Sequence, residues 1–132
     1  GELLVEALEL EAAGRLSFAE QDESRVTYAE KIEAGERRLD PARPAAELAA
    51  KVRALTPHIG AYLELAGGER LGVRRARPLA TGPASGEVSV EEGELLVGCG
   101  EGALRLEAVQ PPGGKAMPVD AYLRGHDPPR LA

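Results

Sequence analysis

The 132-residue chain contains no asparagine and no tryptophan, one cysteine, one phenylalanine and two histidines. Each shortage excludes something. A single thiol, Cys99, rules out an internal disulfide, and one thiol with two histidines argues against a metal site. That cysteine usage fits a reducing cytoplasm. One phenylalanine and three tyrosines make no platform for stacking nucleobases, so sequence readout of a nucleic acid is not expected. No apolar run reaches the length of a membrane span and no charged-apolar-small leader stands at the front, so no membrane association is expected and the chain reads as soluble. The length suits one ordinary domain with a single core, and Gly1 in place of Met reads as the start of a fragment or a processed chain.

The net charge of −6 is unevenly spread. Residues 1–25 carry seven carboxylates against Arg15 and Arg25, which leaves residues 26–132 close to neutral. Within that remainder the bases cluster, above all at Arg70, Arg74, Arg75 and Arg77. Salt screens distant charge, so the field met by a ligand at contact range is set by such a patch. An acidic chain can therefore still bind an anion.

What is present is a succession of short elements. Leu3, Leu4, Ala7, Leu8 and Glu11 follow helical spacing, with Gly14 placed to end a helix over residues 2–13. Residues 15–25 are polar and aperiodic, as in a linker. The stretch around Val26–Leu39 is ambiguous. Pro44 is a suitable first residue for a helix whose inner face is Leu48, Val52 and Leu55, with Glu47 and Lys51 predicted to pair outside and Pro57 to stop it. Strands are expected at 62–66 and 70–78 around Gly67-Gly68, at 87–90 and 94–99 around Glu91-Glu92-Gly93, and at 103–109. A last short helix runs from about Pro118 to Leu123, with His126 in a loose tail beyond. Strands and turns at this spacing point to a small barrel or sandwich.

Four ordered segments resemble the C-terminal region of methionyl-tRNA formyltransferases. They are Val26-Thr27-Tyr28-Ala29-Glu30-Lys31-Ile32, then Val52-Arg53-Ala54-Leu55-Thr56-Pro57-His58-Ile59-Gly60-Ala61, then Gly98-Cys99-Gly100-Glu101-Gly102-Ala103-Leu104-Arg105-Leu106. The fourth is Val109-Gln110-Pro111-Pro112-Gly113-Gly114-Lys115-Ala116-Met117, followed by Tyr122-Leu123-Arg124-Gly125. The resemblance implies an α+β domain, mainly β with short helices. Its fold would be an open, OB-like Greek-key barrel of about six strands with an inserted helix, over residues 26–132. It implies that residues 1–14 are the terminal helix of a missing N-terminal catalytic domain, joined in cis by a linker at 15–25. It further implies a basic face toward initiator tRNA, with 10-formyltetrahydrofolate as formyl donor for the parent enzyme and no cofactor in this part. Two positions depart from the family: Pro41 where an aromatic residue is usual, and Gly114-Lys115 where paired bases are usual.

The family's catalytic asparagine, histidine, aspartate and Ser-Leu-Leu-Pro turn have no counterpart here, and His58 and His126 have no neighbouring nucleophile. No catalytic residue is therefore assigned. Alternation along Arg70–Arg77 puts Leu71 and Val73 inward, and the doubled Arg74-Arg75 predicts a bulge that aims two guanidiniums at solvent. Arginine's planar fork meets phosphate oxygens in pairs. Candidate tRNA contacts are Arg70, Arg74, Arg75, Arg77, Lys115, Arg53 and Lys31, meeting the phosphate backbone in a monomeric protein. The alternative is a structural or docking barrel of a related formyltetrahydrofolate-using formyltransferase or hydrolase that does not bind RNA. Cys99 is expected to be a small buried hydrophobe.

Overall fold

The computed structural model describes residues 1–28 and 30–132, which divide into two units, Gly1–Lys31 and Ile32–Ala132. Ala29, part of the first resembling segment, lies outside the described residues. Among the described residues, no helix is long and apolar enough to cross a membrane.

The first unit is a helix, α1 (Glu2–Ala12), and a mostly irregular segment. Gly14 follows the helix, where its N–H reaches the carbonyl of Glu11. The apolar residues fall at helical spacing, yet none is buried: Leu3, Leu4 and Leu8 are all exposed. One helical turn, Glu23–Arg25, interrupts the polar stretch. Asp22 caps it by accepting from the hydroxyl and N–H of Ser24, and these bonds hold its carboxyl below the ordinary value. Val26–Tyr28 and Glu30–Lys31 adopt neither helix nor strand and fall with this unit.

The second unit holds α2 (Ala45–Leu55), six strands and α3 (Val119–Gly125). The strands are β1 (Ala61–Glu64), β2 (Arg70–Leu79), β3 (Val88–Glu91), β4 (Glu94–Gly98), β5 (Ala103–Gln110) and β6 (Met117–Pro118). They form one antiparallel sheet in the order β1-β2-β5-β4-β3, with β6 also on β5. Strands β3, β4 and β5 make a meander, and β2 reaches β5 after a longer connection, which is a Greek key. The sheet stays open. The expected architecture is thus present: among the described residues the chain is mostly strand with three α-helices, two of them in this unit.

Alternation decides which residues meet the core. Leu71 and Val73 of β2, Leu95 and Val97 of β4, and Leu104, Leu106 and Val109 of β5 are almost completely buried. Each such side chain contributes about 1.5–3 kcal/mol by leaving water. Helix α2 covers this face by Leu48, Ala49, Val52 and Leu55, lying chiefly against β2. Pro44 is its cap and not its first residue. Glu47 pairs with Arg43 at 3.0 Å instead of the expected Lys51, because Arg43 is one turn back and its fork reaches the carboxylate through two nitrogens. Lys51 donates instead to the Arg38 carbonyl at 2.8 Å.

The tail is not loose. Leu131 bridges Leu65, and Ala66 N–H and Ala132 N–H bond to Arg130 and Glu64 carbonyls, so the C-terminus runs beside the free edge of β1. His126 stacks on Tyr122 with ring centroids 4.6 Å apart.

Candidate functional site

The basic surface is built around one irregularity. Along β2 the register is regular to Val73, slips at Arg75, and is restored at Ala76. The inward set consequently changes phase, from Leu71 and Val73 to Ala76. The bulge that the doubled arginine predicts is present, but it aims only one of the two guanidiniums at solvent. Arg75 is exposed and Arg74 is half-buried.

Arg74 turns back across the sheet. Its Nε donates to Gln110 Oε1 at 3.1 Å, and its Nη2 donates to the same oxygen. The amide of Gln110 is oriented from its other end, where Nε2 donates to the Gly114 carbonyl at 2.8 Å. The Arg74 guanidinium lies over Gly60, a residue with φ +78, and any Cβ there would collide with Nη1. Thr56 joins this strand to the end of α2, its hydroxyl lying 2.8 Å from the Val52 carbonyl and 3.2 Å from that of Arg74. One hydroxyl proton serves one of them at a time.

Two clefts meet at Arg74. The first, of about 480 Å³, lies between the end of α2 and β2 and is lined by Arg53, Arg74, Arg75, Arg77 and Glu107 among others. The second, of about 560 Å³, is lined by Arg37, Tyr62, Arg70, Arg74, Gln110 and Glu69, with the Pro111–Gly113 turn at its rim. Six arginines therefore face two carboxylates across this surface.

The two clefts differ in how their arginines are held. In the first, Glu107 lies on β5 beside β2 and takes Arg75 at 3.0 Å, Arg77 at 2.8 Å and Arg105 at 3.2 Å. Arg77 and Arg105 stand directly opposite across the strands, a repulsive placement that the intervening carboxylate relieves. Glu107 is 16% exposed while Arg75 and Arg77 are each 69% exposed, so the acid is sheltered and the bases reach into water. In the second cleft the partners are uncharged. Arg37 donates to the carbonyls of Gly60 and Ile59 at 3.0 and 2.9 Å, and Arg70 sits 4.6 Å from the Tyr62 ring centroid.

Of the sequence-predicted contacts, Arg53, Arg74, Arg75 and Arg77 come together in the first cleft, and Arg70 joins Arg74 in the second. Lys115 is exposed just beyond the Gly113-Gly114 turn that Gln110 holds. Lys31 is exposed and belongs to the first unit. Sequence reasoning missed Arg37, Gln110 and Glu107. The only signal for Glu107 was its outward place on β5; Arg37 lies in a segment without periodicity.

Cys99 falls one residue beyond β4 and is buried, and burial pushes its thiol above the ordinary value. It is a core residue.

The fold defines the class first: a small open-sheet β domain carrying an arginine-lined surface. The model of the family described as formyl transferase, C-terminal domain, matches residues 31–127, and the chain belongs to that family. It is 43% identical over 126 residues to the methionyl-tRNA formyltransferase of Parvibaculum lavamentivorans, covering 93% of this chain and 41% of that protein. It is 47% identical over 127 residues to the methionyl-tRNA formyltransferase of Paraburkholderia xenovorans, covering 93% and 39% respectively. The chain thus spans about two-fifths of the length of the curated relatives it matches. The crystal structure of HypX from Aquifex aeolicus in complex with tetrahydrofolic acid shares the fold, with a TM-score of 0.71 at 23% identity over 94% of this chain and 22% of that one.

Proposed function

We propose that the chain is the tRNA-contacting C-terminal part of a methionyl-tRNA formyltransferase, helping its parent enzyme hold initiator methionyl-tRNA for N-formylation in translation initiation. The observation that carries this reading is the convergence of six arginines on two clefts that share Arg74. The names of the relatives supply the substrate class. Phosphate is the part of an RNA that such a surface suits, since guanidinium forks match its oxygens and no aromatic array is present to stack bases. Formyl transfer itself, and the 10-formyltetrahydrofolate it consumes, belong in this reading to the portion of the relatives outside the chain. No asparagine is present, and His126 is engaged in stacking. The domain acts in cis, as a monomer, in the cytoplasm.

Titration of tRNA at several salt concentrations tests the reading. Affinity should fall linearly with the logarithm of salt, at about −0.7 to −0.9 per neutralised phosphate. Arg74→Ala should lower that slope by about one unit and weaken initiator and elongator tRNA alike, because backbone contact carries no sequence information. A second reading, a docking domain without RNA, is favoured by the neutralisation of Arg75 and Arg77 by Glu107. It requires that no salt-sensitive binding be found.

A further inference from the structure

We infer that the phosphate seat of this surface is the Arg37–Arg70–Arg74 cleft over Gly60, and that the arginines chosen by sequence pattern, Arg75 and Arg77, are held off from phosphate by Glu107. The inference rests on the RNA reading above and says where on the basic face that reading is carried out.

Each cleft has arginine held by an acceptor on β5, Arg75 and Arg77 by one and Arg74 by the other, but the acceptors differ by one charge. Glu107 is a carboxylate and Gln110 is its amide homologue three residues on. A phosphate approaching Arg75 or Arg77 competes with a sheltered carboxylate that is already ion-paired with both. The exchange swaps one anion for another and releases little. At Gln110 the acceptor is neutral, so Arg74 is oriented without being neutralised.

Arg37 and Arg70 are treated in the same way. Backbone carbonyls and a tyrosine face fix them while leaving their full charge in the cleft. Arg37 and Arg74 converge on Gly60 from its carbonyl and its α-carbon respectively, where a side chain would intervene. Holding guanidiniums in place before the ligand arrives lowers the ordering cost of binding. Glu69 is the one carboxylate lining this cleft, and among the described residues it forms no ion pair there. Gln110 is in this scheme a positioning residue: it touches Arg74 and the Gly114 carbonyl.

Isosteric exchange of the two acceptors tests this. In salt titrations of tRNA binding, Gln110→Glu should neutralise Arg74, lower the slope by about one unit and cost about threefold in affinity at moderate salt. Glu107→Gln should do the opposite, steepening the slope and tightening binding. Because Gln110→Glu also removes the donor to Gly114, Arg70→Ala and Arg77→Ala supply an independent comparison on exposed side chains. Arg70→Ala should lose about one contact, and Arg77→Ala much less than one. Thermal unfolding of each variant confirms that the fold is kept. An Arg77→Ala loss equal to that of Arg70→Ala, or a Glu107→Gln variant that binds no better than the unaltered chain, overturns the assignment while leaving the RNA reading intact. Absence of salt-sensitive binding by the unaltered chain overturns both.

Discussion

Gly60 shows how one residue arranges charge around itself without carrying any. Its carbonyl accepts from Arg37, its missing side chain leaves room for the guanidinium of Arg74, and its N–H closes the end of α2 on the Leu55 carbonyl at 2.8 Å. At φ +78 a side chain would be strained as well as obstructed. Cys99 is the opposite case, a residue with reactive chemistry placed where it has none. It is 6% exposed, and its thiol donates toward the Val97 carbonyl at 3.4 Å. Burial raises the thiol, so the nucleophilic thiolate is scarcer than in the unfolded chain at the same pH. A thiol reagent at neutral pH should accordingly label Cys99 slowly in the native protein and promptly in denaturant. Equal rates would show that the environment gives no protection.

Among the elements, β2 and α2 were the most legible in the residues. Helix α2 has an apolar face at i, i+4 and i+7, and the Arg74-Arg75 doubling broke the alternation of β2 where the register slips. Both are local patterns. What escaped was non-local: β6 is two residues long, too short for any period, and the tail pairs with β1 through backbone bonds that no side chain announces. The Glu47 pairing failed for a related reason, since helix spacing offered two partners four residues away and the turn before the helix delivered the better fork.

At the end of β4, backbone lies directly against backbone. Gly98 donates to Glu87 and accepts from Gly86, and a Cβ there would collide with the carbonyls of Pro83 and Ala84 in the β2–β3 connection. Gly98→Ala should therefore cost about 1–3 kcal/mol, as overpacking does when backbone must retreat. Gly67→Ala, where a Cβ meets open space, is the control and should change stability by no more than about 0.5 kcal/mol in chemical denaturation. Equal stability of the two variants would mean that the connection yields freely.

At the scale of the whole molecule, charge and core are divided in the same place. The buried hydrophobic cluster lies within residues 39–122, so the second unit contains its own core, while α1 buries nothing. Residues 1–31 carry eight carboxylates against Arg15, Arg25 and Lys31, a net charge of −5, which leaves −1 on the second unit out of −6 in total. If the arginine face takes phosphate as proposed, an acidic segment on the same chain is expected to oppose that binding through its field, which fades beyond about 10 Å at 0.1 M salt. A chain beginning at Ile32 should on these grounds remain folded, with an unfolding transition like that of the full chain. It should also bind tRNA more tightly at low salt, and the difference should shrink as salt is raised. Titrating both chains against the same tRNA at low and moderate salt measures this directly. Two results count against it: a shorter chain that binds no more tightly at low salt, which would mean that the acidic segment never nears the arginine face, or an advantage that salt leaves unchanged, which would mean that the segment acts by something other than charge.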